Sequence, residues 1–147
     1  MNVDALNWKI LAYLQENARL SNAEIGRRVG MSSPAVSERI KKMEDLGIIT
    51  GHMTLVSPFE LGYQFKAIIT LRAFMGKLKP FLSIVKTYDE VLNCYRITGN
   101  ENIVMEVVLK NQKHLEGFID QLISYGETKT QIVLSNVIEN KTPKNRD

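Results

Sequence analysis

The residues best suited to chemistry lie between Arg27 and Lys42. Five cations, Arg27, Arg28, Arg39, Lys41 and Lys42, stand there around three short hydroxyls, Ser32, Ser33 and Ser37. Such cations neutralise phosphates, and small side chains at a helix start leave its free N–H groups open to the same partner. These residue types point to nucleic-acid binding rather than catalysis. The inventory for covalent chemistry is thin. Cys94 is the one cysteine, which excludes an intrachain disulfide and a multi-cysteine metal site and fits a reducing compartment. It reads as a buried apolar thiol. His52 and His114 have no metal-ligand spacing to other His, Cys or acidic residues, and glycine-rich phosphate loops, HExxH and GxSxG are absent. No metal, cofactor or enzyme activity is expected.

Three helices must position the basic stretch. Leu6, Ile10 and Leu14, with Trp8 and Leu11 beside them, predict an amphipathic helix from Asp4 to about Asn17. Ser21 and Glu24 form a capping-box pattern for a second helix, with Ile25 and Val29 on one face and Gly30 as its stop. Only Met31 and Ser32 intervene before Ser33-Pro34, where serine caps a third helix and proline takes its first position. Val36, Ile40, Met43 and Leu46 form the buried stripe of that helix, and Gly47 ends it. The stripe leaves Pro34, Glu38, Lys41 and Lys42 outward, with Ser37 on one flank and Arg39 on the other. This is the helix-turn-helix plan, whose last helix enters the DNA major groove. The helix N-terminus then meets a phosphate, with Ser32, Ser33 and Ser37 small enough to let it approach, Arg27 and Arg28 hold the backbone, and Ser37 and Arg39 read base edges. Glu38 either accepts from cytosine or faces solvent, and Arg39 borders the core closely enough to pack its stem.

Residues 51–62 (GHMTLVSPFELG) read as a linker with a candidate strand from Met53 to Val56. Beyond it, strands are expected at Ala67–Phe74, Val91–Thr98, Ile103–Leu109 and Thr128 to about Val137. Helices fall between the first pair and the last pair, marked by Leu78, Phe81, Leu82 and Val85, and by Leu115, Phe118, Ile119 and Leu122. The order βαββαβ predicts a ferredoxin-like antiparallel sheet with both helices on one face. The fold class is therefore α+β: a helix-turn-helix domain (1–50), a linker (51–62), a ferredoxin-like domain (63–138) and a polar tail (139–147). Ile68 and Ile69, Val104 and Met105, and Val107 and Val108 place apolar residues on both sheet faces. Homodimerisation by sheet stacking would cover the second.

Composition agrees with these elements. With 147 residues, 44% hydrophobic and 24% charged, the chain can bury a core and is not of the disordered class. Its net charge of +3 permits a nucleic-acid partner without requiring one. MNVDALNWK is no secretory leader, and no uncharged apolar run reaches ~18 residues. The expected location is cytoplasmic, with no membrane partner.

Ser21 to Thr50, SNAEIGRRVGMSSPAVSERIKKMEDLGIIT, resembles the helix-turn-helix of the Lrp/AsnC (feast/famine) regulators, and the βαββαβ half resembles their ligand-sensing module. The resemblance implies dimers paired through the C-terminal sheets, further assembly into octamers, and binding of double-stranded promoter DNA in response to amino acids. DNA contact then falls on Ser32, Ser33, Pro34, Ser37, Arg39, Lys41 and Lys42. The effector pocket falls on Gly99, Asn100, Glu101 and Asn102, facing Gly126, Thr128 and Thr130 of a neighbouring subunit. One departure stands out: Asn102-Ile103 occupies the place where many members carry an aspartate followed by an aromatic residue. Asparagine brings no negative charge to an amino group. The expected function is a sequence-specific transcription regulator modulated by a small molecule such as an amino acid; the alternative is an effector-independent protein that bends or compacts DNA.

Overall fold

Each helix of the N-terminal half begins at a side chain that accepts from its own first turn. In the computed structural model, which describes residues 3–144, Asp4 Oδ1 accepts from the Asn7 N–H at 2.7 Å and starts α1 (Ala5–Glu16). Ser21 Oγ does the same for α2 (Asn22–Val29), accepting from the Glu24 N–H at 3.2 Å. Glu24 does not return the bond; its carboxylate takes Arg28 at 2.7 Å, so the capping box is half closed. The cap of α3 (Ser33–Asp45) is Ser32, one residue earlier than expected. Ser32 is extended and accepts from the Ala35 N–H, while Ser33 is already helical.

Ile10, Leu11, Ile25, Val36 and Met43 make the buried core of this unit. Leu46, expected to close the α3 stripe, is instead 49% exposed. The chain turns back at Gly47 (φ 69°), and the N–H groups of Ile48 and Ile49 both reach the Met43 carbonyl, at 2.9 and 3.1 Å. Those isoleucines pack on the core in place of Leu46. The candidate strand at Met53–Val56 does not form; the segment is exposed and joins no sheet.

The second unit spans Val56–Val137, while residues 138–144 group with the helices. Within the expected tail, residues 145–147 lie outside the described residues. Strands β1 (Phe65–Ala73), β2 (Val91–Arg96), β3 (Ile103–Leu109) and β4 (Gly126–Ile132) form one antiparallel sheet in the order β2-β3-β1-β4. Helix α4 (Leu78–Ile84) continues into a 3-10 turn at Val85–Thr87, and α5 is Gln112–Leu122. Strand β4 starts and stops earlier than expected, because polar Gly126–Ile132 pairs with β1 whereas Leu134 and Val137 stay exposed.

Alternation then sorts the sheet. Ala67, Ile69 and Leu71 lie opposite Val107, Met105 and Ile103 on one face, packed under Phe81, Val85, Phe118 and Leu122. Both helices therefore cover the same side, each buried phenylalanine contributing about 1.5–3 kcal/mol. A bulge between Val91 and Asn93 shifts the phase of β2. It turns Cys94 toward Met105 and the core, where burial pushes the thiol pKa up.

The other face is mixed rather than plainly apolar. Ile68, Val104 and Tyr95 share it with an ion pair between Lys66 and Glu106, and Asn93 Nδ2 donates to the same carboxylate at 3.0 Å. The Lys66 hydrogen bond, reinforced by Asn93 against partial burial, holds Glu106 below its ordinary value of 4.5. A depressed carboxyl stabilises the folded state above the unfolded pKa and loses that contribution as pH falls through the folded one. Glu106→Gln should lower the melting temperature at neutral pH and flatten its decline between about pH 5 and pH 3. Melting curves across that range check this, and an unchanged acid limb would contradict it.

Candidate nucleic-acid interface

The turn between α2 and α3 is built on a close backbone approach. The N–H groups of Gly30 and Met31 both bond to the Gly26 carbonyl, and Gly30 adopts the left-handed conformation (φ 73°) that ends the helix. The Met31 carbonyl lies against the Gly26 Cα so tightly that an added Cβ would meet its oxygen at 2.4 Å. Sequence reading missed Gly26. The signal was there: a glycine inside a helix costs about 1 kcal/mol against alanine and often has a packing reason.

Helix α3 turns Val36 and Met43 inward, and Pro34, Ser37, Glu38, Lys41 and Lys42 are exposed. Ser32 is exposed, with its hydroxyl used as the cap, and Ser33 is half-buried. On α2, Arg27 is exposed, whereas Arg28 pairs with Glu24 and stacks 5.2 Å above the centre of the Tyr13 ring. Arg39 also points inward to its own subunit. Its Nη1 donates to Asp4 Oδ2 at 2.7 Å and to Asn7 Oδ1 at 3.0 Å. That hydrogen bond, with the Asn7 backbone bond, holds the Asp4 carboxyl below its usual range. The outward surface of α3 thus mixes Lys41 and Lys42 with the carboxylates of Glu38 and Asp45, and the two arginines with folded-state partners flank it.

The expected effector segments meet within one subunit, across the end of β1. The Asn102 N–H donates to the Leu71 carbonyl at 2.9 Å, and Asn102 Oδ1 accepts from the Ala73 N–H at 2.7 Å, an extra rung beyond the ladder. On the opposite edge of β1, Gly126 pairs with Ala73, Thr128 with Leu71 and Thr130 with Ile69. Gly126 is buried, and a Cβ there would meet the Arg72 carbonyl oxygen at 2.3 Å. Glu101 reaches across to Lys129 at 2.9 Å, and that bond holds its carboxyl low. Gly99 (φ 115°) and Asn100 are exposed.

Neither histidine joins a metal cluster, and no such cluster exists among the described residues. His114 is structural: Nδ1 accepts from the Lys110 N–H and Nε2 lies 2.9 Å from Glu90. No helix among the described residues is long and apolar enough to cross a membrane.

Two family models match this chain. Residues 3–50 fit the winged helix-turn-helix DNA-binding model, and residues 66–143 fit the Lrp/AsnC ligand binding domain. The chain belongs to the Lrp/AsnC family. It is 34% identical over 134 residues to YezC of Bacillus subtilis, an HTH-type transcriptional regulator, covering 91% of this chain and 95% of that one. The LrpC structure from B. subtilis superposes with a TM-score of 0.89 at 28% identity, covering 94% of this chain and 99% of LrpC. The transcriptional regulator NMB0573 of Neisseria meningitidis, solved as its L-Met complex, gives 0.88 at 28% identity over 94% of each chain. As an Lrp/AsnC member the protein is a DNA-binding transcription regulator whose C-terminal half is a ligand-binding domain.

Gly26→Ala should destabilise the helical unit by about 1–3 kcal/mol despite the better helix former, because backbone must move. Gly117→Ala, inside α5 with open space around it, should instead stabilise by about 0.5–1 kcal/mol. Thermal unfolding of both variants checks the contrast, and a gain at Gly26 would contradict the tight turn.

Proposed function

We propose that the protein acts in the cytoplasm as a homodimer that presents two copies of α3 to successive major grooves of an operator. The observation that carries this reading is the division of α3: one side buried through Val36 and Met43, the other open through Pro34, Ser37, Lys41 and Lys42. At the start of α3 Pro34 has no N–H, and the Ala35 and Val36 N–H groups bond to Ser32, so a phosphate there would be met by the Ser33 N–H and hydroxyl at the positive end of the helix. Ser37 and Glu38 face base edges, Lys41 and Lys42 take the strand beside them, and Arg27 holds the backbone from α2, with Arg28 contributing once released from Glu24.

Pairing through the open sheet face would bury Ile68, Val104 and Tyr95 and set the spacing of the two helices; octamers would extend the same arrangement. The effector reading places a small molecule such as an amino acid at Gly99–Asn102 with Gly126, Thr128 and Thr130. The methionine complex of the Neisseria relative supports that class. Asn102 Oδ1 already accepts from Ala73, so its amide is left as a donor, suited to a carboxylate. Glu101 is the turn's one negative group, and an amino group would compete there with Lys129. Such a ligand changes DNA affinity only through unequal binding to two states, typically 1–3 kcal/mol of coupling.

Two measurements test the proposal. In DNA binding followed against salt, Lys41→Ala with Lys42→Ala should reduce the log–log slope by roughly 0.9 per lost phosphate contact; an unchanged slope would remove α3 from the interface. Val104→Glu should yield monomers on a sizing column, and a persisting dimer would move the interface off this sheet face.

A further inference from the structure

Arg39 lies 300° around α3 from Val36 at 100° per residue, and so on the flank nearest α1. There its guanidinium finds two acceptors, Asp4 and Asn7, from a helix more than thirty residues away in sequence. The first of these acceptors is fixed by α1 itself: Asp4 Oδ1 caps the helix through the Asn7 N–H, and the Asp4 carbonyl accepts from the Trp8 N–H at 3.0 Å. A carboxylate so pinned has little side-chain freedom left to lose, unlike an ordinary surface ion pair.

We propose that Asp4 and Arg39 are positioning residues for DNA recognition: their ion pair clamps α3 to α1 so that Ser37, Lys41 and Lys42 face the groove, and Arg39 touches neither base nor phosphate. Reaching a phosphate would require Arg39 to leave two acceptors and would bare the Asp4 carboxylate near negatively charged DNA. The 30% exposure of the Arg39 side chain agrees with a group spent inside the subunit. The inference rests on α3 being the helix that faces DNA.

The test uses the full chain and a mixed-sequence DNA duplex, with affinity measured against salt for Arg39→Met, Asp4→Ser and the double variant. Methionine keeps the apolar stem, and serine keeps the α1 cap while being too short to reach Arg39. All measurements are made well below each variant's melting temperature, so that lost stability alone leaves affinity unchanged. Each single variant should bind about two- to fivefold more weakly at every salt concentration, with the parent's log–log slope, and the double should be no weaker than the weaker single.

The proposal is overturned if Arg39→Met lowers the slope by about 0.9, as loss of a phosphate ligand would. It is equally overturned if the single losses multiply in the double variant, or if melting temperatures fall while affinities stay at the parent value. Lys41→Ala with Lys42→Ala, run beside them, separates the two readings. A slope unaffected there removes α3 from the interface altogether, whereas a reduced slope with parental affinity in the Asp4 and Arg39 variants removes only the clamp.

Discussion

The burial of Val36 and Met43 against Ile10, Leu11 and Ile25 decides which side of α3 meets water. A helix rotates by about 100° per residue, so fixing two inward positions one heptad apart fixes all the others. Pro34, Glu38 and Lys41 are thereby carried to the far side, Ser37 and Lys42 to its margins, and Arg39 to the seam with α1. Nothing in the charge of the chain could do this, since the net excess is only +3. The apolar contacts convert an unremarkable set of lysines and serines into a directed surface.

In the second unit a comparable constraint comes from coverage. Two helices shield one side of a four-stranded sheet and leave the other to be managed by side chains. Here Lys66, Glu106 and Asn93 are placed among Ile68, Val104 and Tyr95. Such a face is polar enough to be tolerated in water and apolar enough to be worth covering. The bulge in β2 is what brings Asn93 to Glu106; without it the alternation would send that amide to the core side and Cys94 outward.

The elements most readable from the residues were those in which several local signals agreed. Strand β3 is a run apolar at every position but Glu106, set between a turn and an asparagine cap, and its observed limits, Ile103–Leu109, coincide with the expected ones. The α2–α3 pair follows from Ser21, Gly30 and Pro34 together. Strand β4 was harder, because an edge strand pairs through its backbone and its GETKTQI sequence lacks an apolar signature. For the same reason the apolar residues beyond it drew the expected limit too far. At the candidate site, exposure of Ser37, Lys41 and Lys42 follows from helical phase, but the direction of Arg39 does not. A long side chain on a flank can turn either way, and only the location of Asp4 and Asn7 in space decides it. The bulge at Leu92 left no trace in residue type.

The contact between Gly26 and the Met31 carbonyl has a mechanical meaning. Two backbone donors converge on the Gly26 oxygen, and the space beside its Cα is filled by the Met31 carbonyl, so the turn out of α2 is packed backbone against backbone. Any side chain at position 26 would push the Met31 carbonyl aside, so the direction in which the chain leaves α2 depends on one missing carbon atom.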